Sequence, residues 1–314
     1  MTTFGLQIPG FTHAGETDHE MFDSVVAQAR AAEEGGFTSV WVMDHFWQLP
    51  PLGGPDQPIL EAYVLLGALA ASTERVQLGT LVTGVTYRNP ALLAKMITTL
   101  DVVSKGRAVL GIGAAWYEEE HVGFGFDFPP VRERMDRLEE AIQICRALFR
   151  EDKPSFSGRY YRIEDAYNVP RPLQRGGPPI MVGGSGERRT LRLVAQYADL
   201  CNVAGSADTV RHKLEVLRRH CADVGRDPAA ITKTRLGTLV VTPDADETGR
   251  VVEFLRGIAG DAFAEQFTVG EEEEVVEQVA ALIDAGLDGL IFNMPLSDVA
   301  TVRRTGELLV DRFG

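Results

Sequence analysis

A histidine beside an aspartate at the end of an apolar run can move a proton near neutral pH, and Trp41-Val42-Met43-Asp44-His45-Phe46-Trp47 offers such a pair. Phe46 and Trp47, next in the chain, would supply an apolar wall against a flat ring. The same segment is also compatible with a plain turn, in which Asp44 caps the chain and His45 satisfies a backbone carbonyl. A second group, Val182-Gly183-Gly184-Ser185-Gly186-Glu187-Arg188, follows the apolar Pro179-Ile180-Met181 and opens a helix. Glycines there let backbone approach a ligand, first-turn N–H groups point outward and Ser185 adds a hydroxyl, a combination that suits phosphate. A tight strand-to-helix connection accounts for the same residues. Neither G-x-G-x-x-G at this turn nor a G-x-x-x-x-G-K-[ST] loop anywhere in the chain is present.

Two further groups sit at the ends of apolar runs. Gly79-Thr80-Leu81-Val82-Thr83-Gly84-Val85-Thr86 turns abruptly polar before Arg88-Asn89-Pro90, and its hydroxyls either face a ligand or simply reflect the strand preference of β-branched residues. Leu110-Gly111-Ile112-Gly113-Ala114-Ala115-Trp116-Tyr117 ends in small residues and two aromatics, a place for the edge of a planar ligand or for a Trp116 plug. Glu118, Glu119, Glu120 and His121 lack H-E-x-x-H or paired-His spacing, so they read as a solvated lid and no metal site is expected. His13, His19, His212 and His220 fall on surface positions, and the run Glu271 to Glu274 complements a helix N-terminus.

The elements that must position these groups alternate. Amphipathic helices end in Gly or Ala-Gly and give way to short apolar runs, as in 31–42, 194–203 and 281–292. Strands are expected near 4–8, 38–42, 76–82, 107–112, 179–183, 199–203, 235–241 and 289–293. Helices are expected near 19–35, 59–72, 90–104, 131–150, 186–197, 206–224, 272–285 and 298–311. This alternation predicts an α/β fold, a (β/α)8 TIM barrel with insertion loops at the C-terminal face, the whole chain 1–314 forming one domain. An open doubly wound sheet is the alternative. Of the longer connections 43–58, 113–130, 151–178 and 242–270, the first two lie on the catalytic face, the third contains a small hairpin at 156–161 and the fourth looks largely helical.

With 45 acidic against 31 basic residues, the formal charge of −14 would repel a phosphate backbone, so nucleic acid is not an expected partner. Three unpaired-looking cysteines fit a reducing compartment, and nothing resembles a signal peptide or a membrane span. The expectation is a cytoplasmic protein.

Taken in order, Gly5 to Pro9, Asp44-His45, Leu78-Gly79-Thr80 with Arg88-Asn89-Pro90, Leu110-Gly111-Ile112-Gly113, and Gly183-Gly184-Ser185 resemble the luciferase-like monooxygenase superfamily, and most closely its branch dependent on the deazaflavin coenzyme F420. That resemblance implies a tricyclic ring across the barrel mouth, supported by a bulge with a cis peptide between Leu81 and Val82. It implies phosphate on Gly183, Gly184 and Ser185, ring surroundings formed by Thr80, Thr83, Gly113 and Ala114, acid/base work by His45, and Asp44 as a further catalytic and cofactor-binding residue. Sugar-phosphate dehydrogenases of the branch carry a glutamate where this chain has Trp116, which argues against glucose-6-phosphate and for a pocket, with Trp47 and Trp116 in its walls, that takes an apolar or aromatic molecule. Homodimers are the assembly the resemblance implies.

The leading expectation is therefore hydride transfer between coenzyme F420 and a small organic substrate. An FMN-dependent two-component monooxygenase, fed by a separate reductase, shares the fold, and a non-catalytic flavin-binding barrel is the alternative of another class. Basic residues along the exit path of an oligoglutamate tail would favour F420, with Arg88, Arg188 and Arg189 as candidates.

Overall fold

The computed structural model describes residues 1–11 and 17–314, so His13 lies outside the described residues. In chain order the elements are β1 (Thr3–Ile8), α1 (Met21–Glu34), β2 (Ser39–Val42), α2 (Ala62–Ser72), β3 (Gln77–Thr80), β4 (Thr83–Gly84), α3 (Pro90–Val103), β5 (Ala108–Gly113), α4 (Glu118–Phe124), α5 (Val131–Arg150), β6 (Phe156–Ser157), β7 (Arg162–Ile163), β8 (Ile180–Gly183), α6 (Thr190–Tyr197), β9 (Leu200–Val203), α7 (Ala207–Val224), β10 (Thr232–Val241), α8 (Ala245–Ala259), β11 (Phe267–Gly270), α9 (Glu272–Asp284), β12 (Gly289–Asn293) and α10 (Val299–Phe313).

The main sheet closes on itself. Strand β1 pairs in parallel with both β2 and β12, and the ring runs on through β3, β5, β8, β9 and β10 back to β12. An eight-stranded parallel barrel results, and the open-sheet alternative falls away. All four residues of β2 and all six of β5 are buried, as strands must be when side chains fill one face and helices cover the other. Covering helices turn apolar stripes inward, as α5 does by burying Leu138, Ile142, Cys145 and Leu148 at helical spacing.

Three elements depart from the sequence expectation. The strand expected over 76–82 breaks into β3 and β4, because the chain bulges at Leu81–Val82, whose peptide is cis, before pairing again with β5. Helix α4 stands within the expected loop 113–130. Strand β11 sits in the stretch 242–270, where α8 is the expected helix; β10 runs on past the ring, and its far end from Thr238 to Val241 takes β11 as a partner. The expected hairpin is formed by β6 and β7.

Inside the ring, Trp41 packs with Leu81, Val109, Met181 and Ile291. Its indole needs room on both flanks, and the neighbouring strands provide it with Gly5 and Gly79. A Cβ at Gly79 would lie 2.8 Å from Trp41 Cζ3 and 2.7 Å from the Val109 carbonyl oxygen. Gly79→Val should therefore lower stability by about 1–3 kcal/mol through overpacking, and a Trp41→Phe background should return part of the loss. Urea unfolding of the two single variants and the double variant measures both effects; strict additivity would dissociate the glycine from the indole.

Candidate active site

Parallel closure puts every strand's C-terminal end on one rim, so the residues following β2, β3, β5 and β8 meet there. The bulge after β3 sets the floor. Gln7 donates from Nε2 to the Leu81 carbonyl at 3.2 Å, and Val82 projects between β5 and β8. A Cβ at Gly113 would come within 2.8 Å of Val82 Cγ2, and one at Gly183 within 2.9 Å of Val82 Cγ1. These two glycines thus make room for the bulge, a steric requirement separate from any contact with a ligand. Thr80 and Thr83 are fully buried: their hydroxyls lie 2.7 Å apart, Thr80 also donates to the Gly111 carbonyl at 3.1 Å, and Thr83 meets the Tyr63 hydroxyl at 2.5 Å.

Above this floor opens a cavity of about 420 Å³, within the size range of small-ligand sites. It brings together Asp44, His45 and Trp116 with Leu81, Val82 and Thr83, and with Gly113, Ala114, Gly183 and Gly184. Thr80 stays behind the wall. Trp116 is 62% exposed at the rim, held edge-on to His45 with ring centroids 5.7 Å apart. The preceding Ala115 has φ 61°, a region that favours glycine, so the turn aiming Trp116 holds a residue in an unfavourable conformation at the cavity wall. Trp47 does not line the cavity; it packs in the lid, over Gly123 and beside Tyr117 and Phe124.

Asp44 serves a clamp. Arg88 grips both of its oxygens, at 2.7 and 2.9 Å, and Nη2 of Arg88 also reaches Glu61 at 2.6 Å, while the Gly84 N–H donates to Asp44 at 3.2 Å. Glu61 in turn caps α2 by accepting from the Val64 N–H. The arrangement ties the end of β2 to the starts of α2 and α3. Burial pushes the Asp44 carboxyl up and Arg88 pulls against it; burial would lower Arg88, yet the Asp44 charge holds it above its ordinary range.

Of the four residues read from sequence as a solvated lid, Glu118 and Glu119 are exposed, but Glu120 and His121 are buried. Glu120 and His121 are both 0% exposed, because α4 folds down onto the loop after β2 through an aromatic cluster that includes Phe46, Tyr87, Phe124 and Phe126. Glu120 Oε2 takes His45 Nδ1 at 2.8 Å and the Tyr87 hydroxyl at 2.6 Å, while Oε1 accepts from the N–H groups of Phe46 and Trp47. Burial opposes its charge, but these donors outweigh burial and hold the carboxyl below the ordinary range. His121 lies between the Tyr117 carbonyl at Nδ1 and the Thr86 hydroxyl at Nε2, both 2.6 Å away, and burial lowers its pKa. Sequence reasoning missed Glu120. The available signal was its position three residues past Tyr117, on the inner face of a short helix that the aromatics pin.

Beside the cavity runs a groove of about 660 Å³ that shares Val131, Met135 and Thr190 with it. Ser185 borders this groove rather than the ring cavity, its Oγ accepting from the Ala204 N–H at 3.0 Å. Helix α6 begins at Thr190, later than expected, so Gly184 to Gly186 precede the helix as an irregular turn in which Gly184 has φ 119°. Arg132, Arg188, Arg189 and Lys213 line the groove. Arg189 is bound to Asp136 and Lys213 to Glu187, whereas Arg132 and Arg188 have no carboxylate partner among the described residues. Arg88 is spent in the clamp.

Two measurements follow from the charge arrangement. Asp44→Asn removes one partner of a buried ion pair and should cost about 3–5 kcal/mol in urea unfolding; unchanged stability would mean that the clamp carries no weight. For Glu120 the folded-state pKa lies below that of an ordinary glutamate, so the stabilisation is complete above the ordinary value and fades as pH falls through the folded-state pKa. Between about pH 6 and about pH 3, the melting-temperature advantage of the wild type over Glu120→Gln should shrink. A constant gap would contradict an ionised, donor-stabilised carboxylate.

Comparison with known proteins agrees with this geometry. Residues 2–260 match the family model for luciferase-like monooxygenase. An F420-dependent glucose-6-phosphate dehydrogenase from Amycolatopsis mediterranei (strain U-32) is 31% identical over 306 residues, spanning 87% of this chain and 89% of that protein. A second one, from Kineococcus radiotolerans, is 32% identical over 299 residues, spanning 85% of this chain and 86% of its own. Among solved structures, an F420-dependent secondary alcohol dehydrogenase in complex with an F420-acetone adduct superposes with a TM-score of 0.82 at 23% identity, over 99% of this chain and 98% of the other. A long-chain alkane monooxygenase gives the same score at 16% identity, over 99% and 90%. The chain belongs to the luciferase-like monooxygenase family.

Proposed function

We propose that the chain, working as one barrel domain, is an F420-dependent oxidoreductase that moves a hydride between the deazaflavin and a small uncharged organic molecule. The observation that carries this reading is the adjacency of two spaces at the barrel mouth, which share Val131, Met135 and Thr190 in their walls. One is a ring-sized cavity floored by Val82 and walled by Gly113 and Gly183; the other is the adjoining groove, lined by Arg132, Arg188, Arg189 and Lys213. A phosphorylated cofactor with an acidic tail suits that pairing of shapes and charges, and FMN has no tail for the groove's outer cations. The dehydrogenases most similar in sequence, by name dependent on F420, support the same cofactor.

The residues present fit a ring and its phosphate. Side chains at Gly113 or Gly183 would collide with Val82, so the walls stay flat, and Gly184 and Ser185 offer backbone and hydroxyl where the cavity passes into the groove. What a bound deazaflavin supplies is two-electron hydride chemistry. His45, on the cavity wall, takes the hydroxyl proton as an alcohol carbon gives up its hydride, or returns a proton to the oxygen when a carbonyl is reduced. Asp44 keeps the strand end bearing His45 in place through Arg88. Trp116 walls the substrate side.

The cavity has no lysine or arginine among its lining residues, and the undescribed stretch 12–16 contains neither. A sugar phosphate brought into it would therefore meet no lysine or arginine in the cavity wall, while Trp116, Met135 and Leu236 favour an apolar body. This separates the proposed substrate from the glucose-6-phosphate of the relatives' names. As for the setting, the reading is of a cytoplasmic homodimer: among the described residues no helix is long and apolar enough to cross a membrane, and Val64, Leu92 and Val103 are exposed apolar residues of α2 and α3 that a second copy would cover. A separate reductase belongs to the alternative reading as an FMN-dependent monooxygenase.

Anaerobic fluorescence titration tests the cofactor. F420 should bind at least tenfold more tightly than FMN, and the double substitution Arg132→Glu with Arg188→Glu should weaken F420 by roughly tenfold at low salt. The same variant should leave the affinity for a tail-less deazaflavin riboside unchanged. Preferential FMN binding with oxygen consumption would replace this reading by the monooxygenase one.

A further inference from the structure

Resting on the proposed hydride transfer, we infer that Glu120 of the lid helix α4 is a positioning residue that fixes the proton of His45 on Nδ1 and so leaves Nε2 as the atom that accepts the substrate's proton. The carboxylate offers only acceptors. With Oε2 placed 2.8 Å from Nδ1, a hydrogen bond exists only when Nδ1 carries the hydrogen, and the neutral ring then has its lone pair on Nε2.

The remaining contacts of Glu120 stop it from turning away. Its Oε1 is occupied by the backbone N–H groups of Phe46 and Trp47, the two residues after His45, and Tyr87 donates a second hydrogen bond to Oε2 at 2.6 Å. One carboxylate thus holds both the imidazole and the backbone that follows it. Burial raises the Tyr87 pKa, which keeps its hydroxyl a donor. His121 cannot substitute as the partner of His45, since its two ring nitrogens are taken by the Tyr117 carbonyl and the Thr86 hydroxyl. Because Glu120 sits on α4, in the segment between β5 and α5, the orientation of the acid/base group depends on the lid being seated. In the oxidation of an alcohol, the C–H hydrogen leaves with its electron pair as the hydride, and the O–H proton passes to Nε2. The ring becomes imidazolium, with its Nδ1–H still on the Glu120 carboxylate. Reduction of a carbonyl runs the same transfers backwards.

Glu120→Gln separates this role from simple packing. The amide has nearly the same shape, its oxygen can still accept from Phe46 and Trp47, and its NH₂ then faces His45, which favours the opposite tautomer with the hydrogen on Nε2. Imidazole ¹⁵N shifts of the cofactor-free protein, recorded at about pH 8.5 where an ordinary histidine is neutral, read this directly. The wild type should show a protonated Nδ1 and a bare Nε2, and the variant the reverse. In turnover with F420, kcat should fall roughly 10²- to 10⁴-fold, with KM and F420 affinity within about threefold of wild type, as loss of the correct tautomer predicts. Tyr87→Phe should keep the wild-type ¹⁵N pattern. A wild-type His45 with its hydrogen on Nε2, or a folded Glu120→Gln protein with an unchanged tautomer, overturns the inference. Should the glutamine variant fail to fold, the wild-type spectrum still decides. The spectra need no cofactor, so a failure of the F420 reading leaves this test intact.

Discussion

A closed parallel ring must fill its own interior, and here one side chain does so at the height where a ligand would rest. Val82 points across the barrel mouth from the bulge after β3 and excludes a Cβ from both β5 and β8. The bulge needs anchors on either side, which is why the Gln7 amide meets the Leu81 carbonyl and why the hydroxyls of Thr80, Thr83 and Tyr63 form one buried chain. Several residues that suggest ligand contact by type are therefore in use as supports. The flat floor they produce is the property a tricyclic ring requires.

Two buried carboxylates flank this floor and are stabilised in different ways. Asp44 faces a guanidinium that approaches as a fork, and the pair is shared with Glu61, so the charge is neutralised by a countercharge. Among the described residues Glu120 has no lysine or arginine partner; it is surrounded by donors from a hydroxyl, a ring nitrogen and two backbone amides. The first arrangement suits a static clamp between α2, β2 and α3. The second leaves one of its donors, His45, facing the cavity. Burial alone would push both carboxyls up, so the type of partner decides which one remains a strong acceptor.

The surface charge of the chain and the charge of its groove run in opposite directions. A protein with formal charge −14 repels anions in general, yet Arg132 and Arg188 stand beside the ring cavity without carboxylate partners among the described residues. Local geometry overrules net charge within a Debye length. Fold and cofactor class are shared with relatives of about one-third identity, and at the rim of this chain Trp116 follows a strained turn and forms an aromatic wall of the cavity.

Much of the architecture was legible from residue order. Strand and helix periodicity, and glycine at helix ends, depend on local sterics, and all eight ring strands fall within a few residues of their expected places. Asp44, His45, Gly113 and Gly183 were also recognisable as rim residues, because parallel strands place their C-terminal ends together. What the chain could not disclose locally was how a polar side chain is used. Asp44 became a clamp because Arg88, 44 positions away, folds back onto it, and Glu120 became a buried partner of His45, 75 positions away, because aromatic packing brings α4 down on the rim. Such pairings depend on distance in space and on burial, and burial is a property of the assembled barrel.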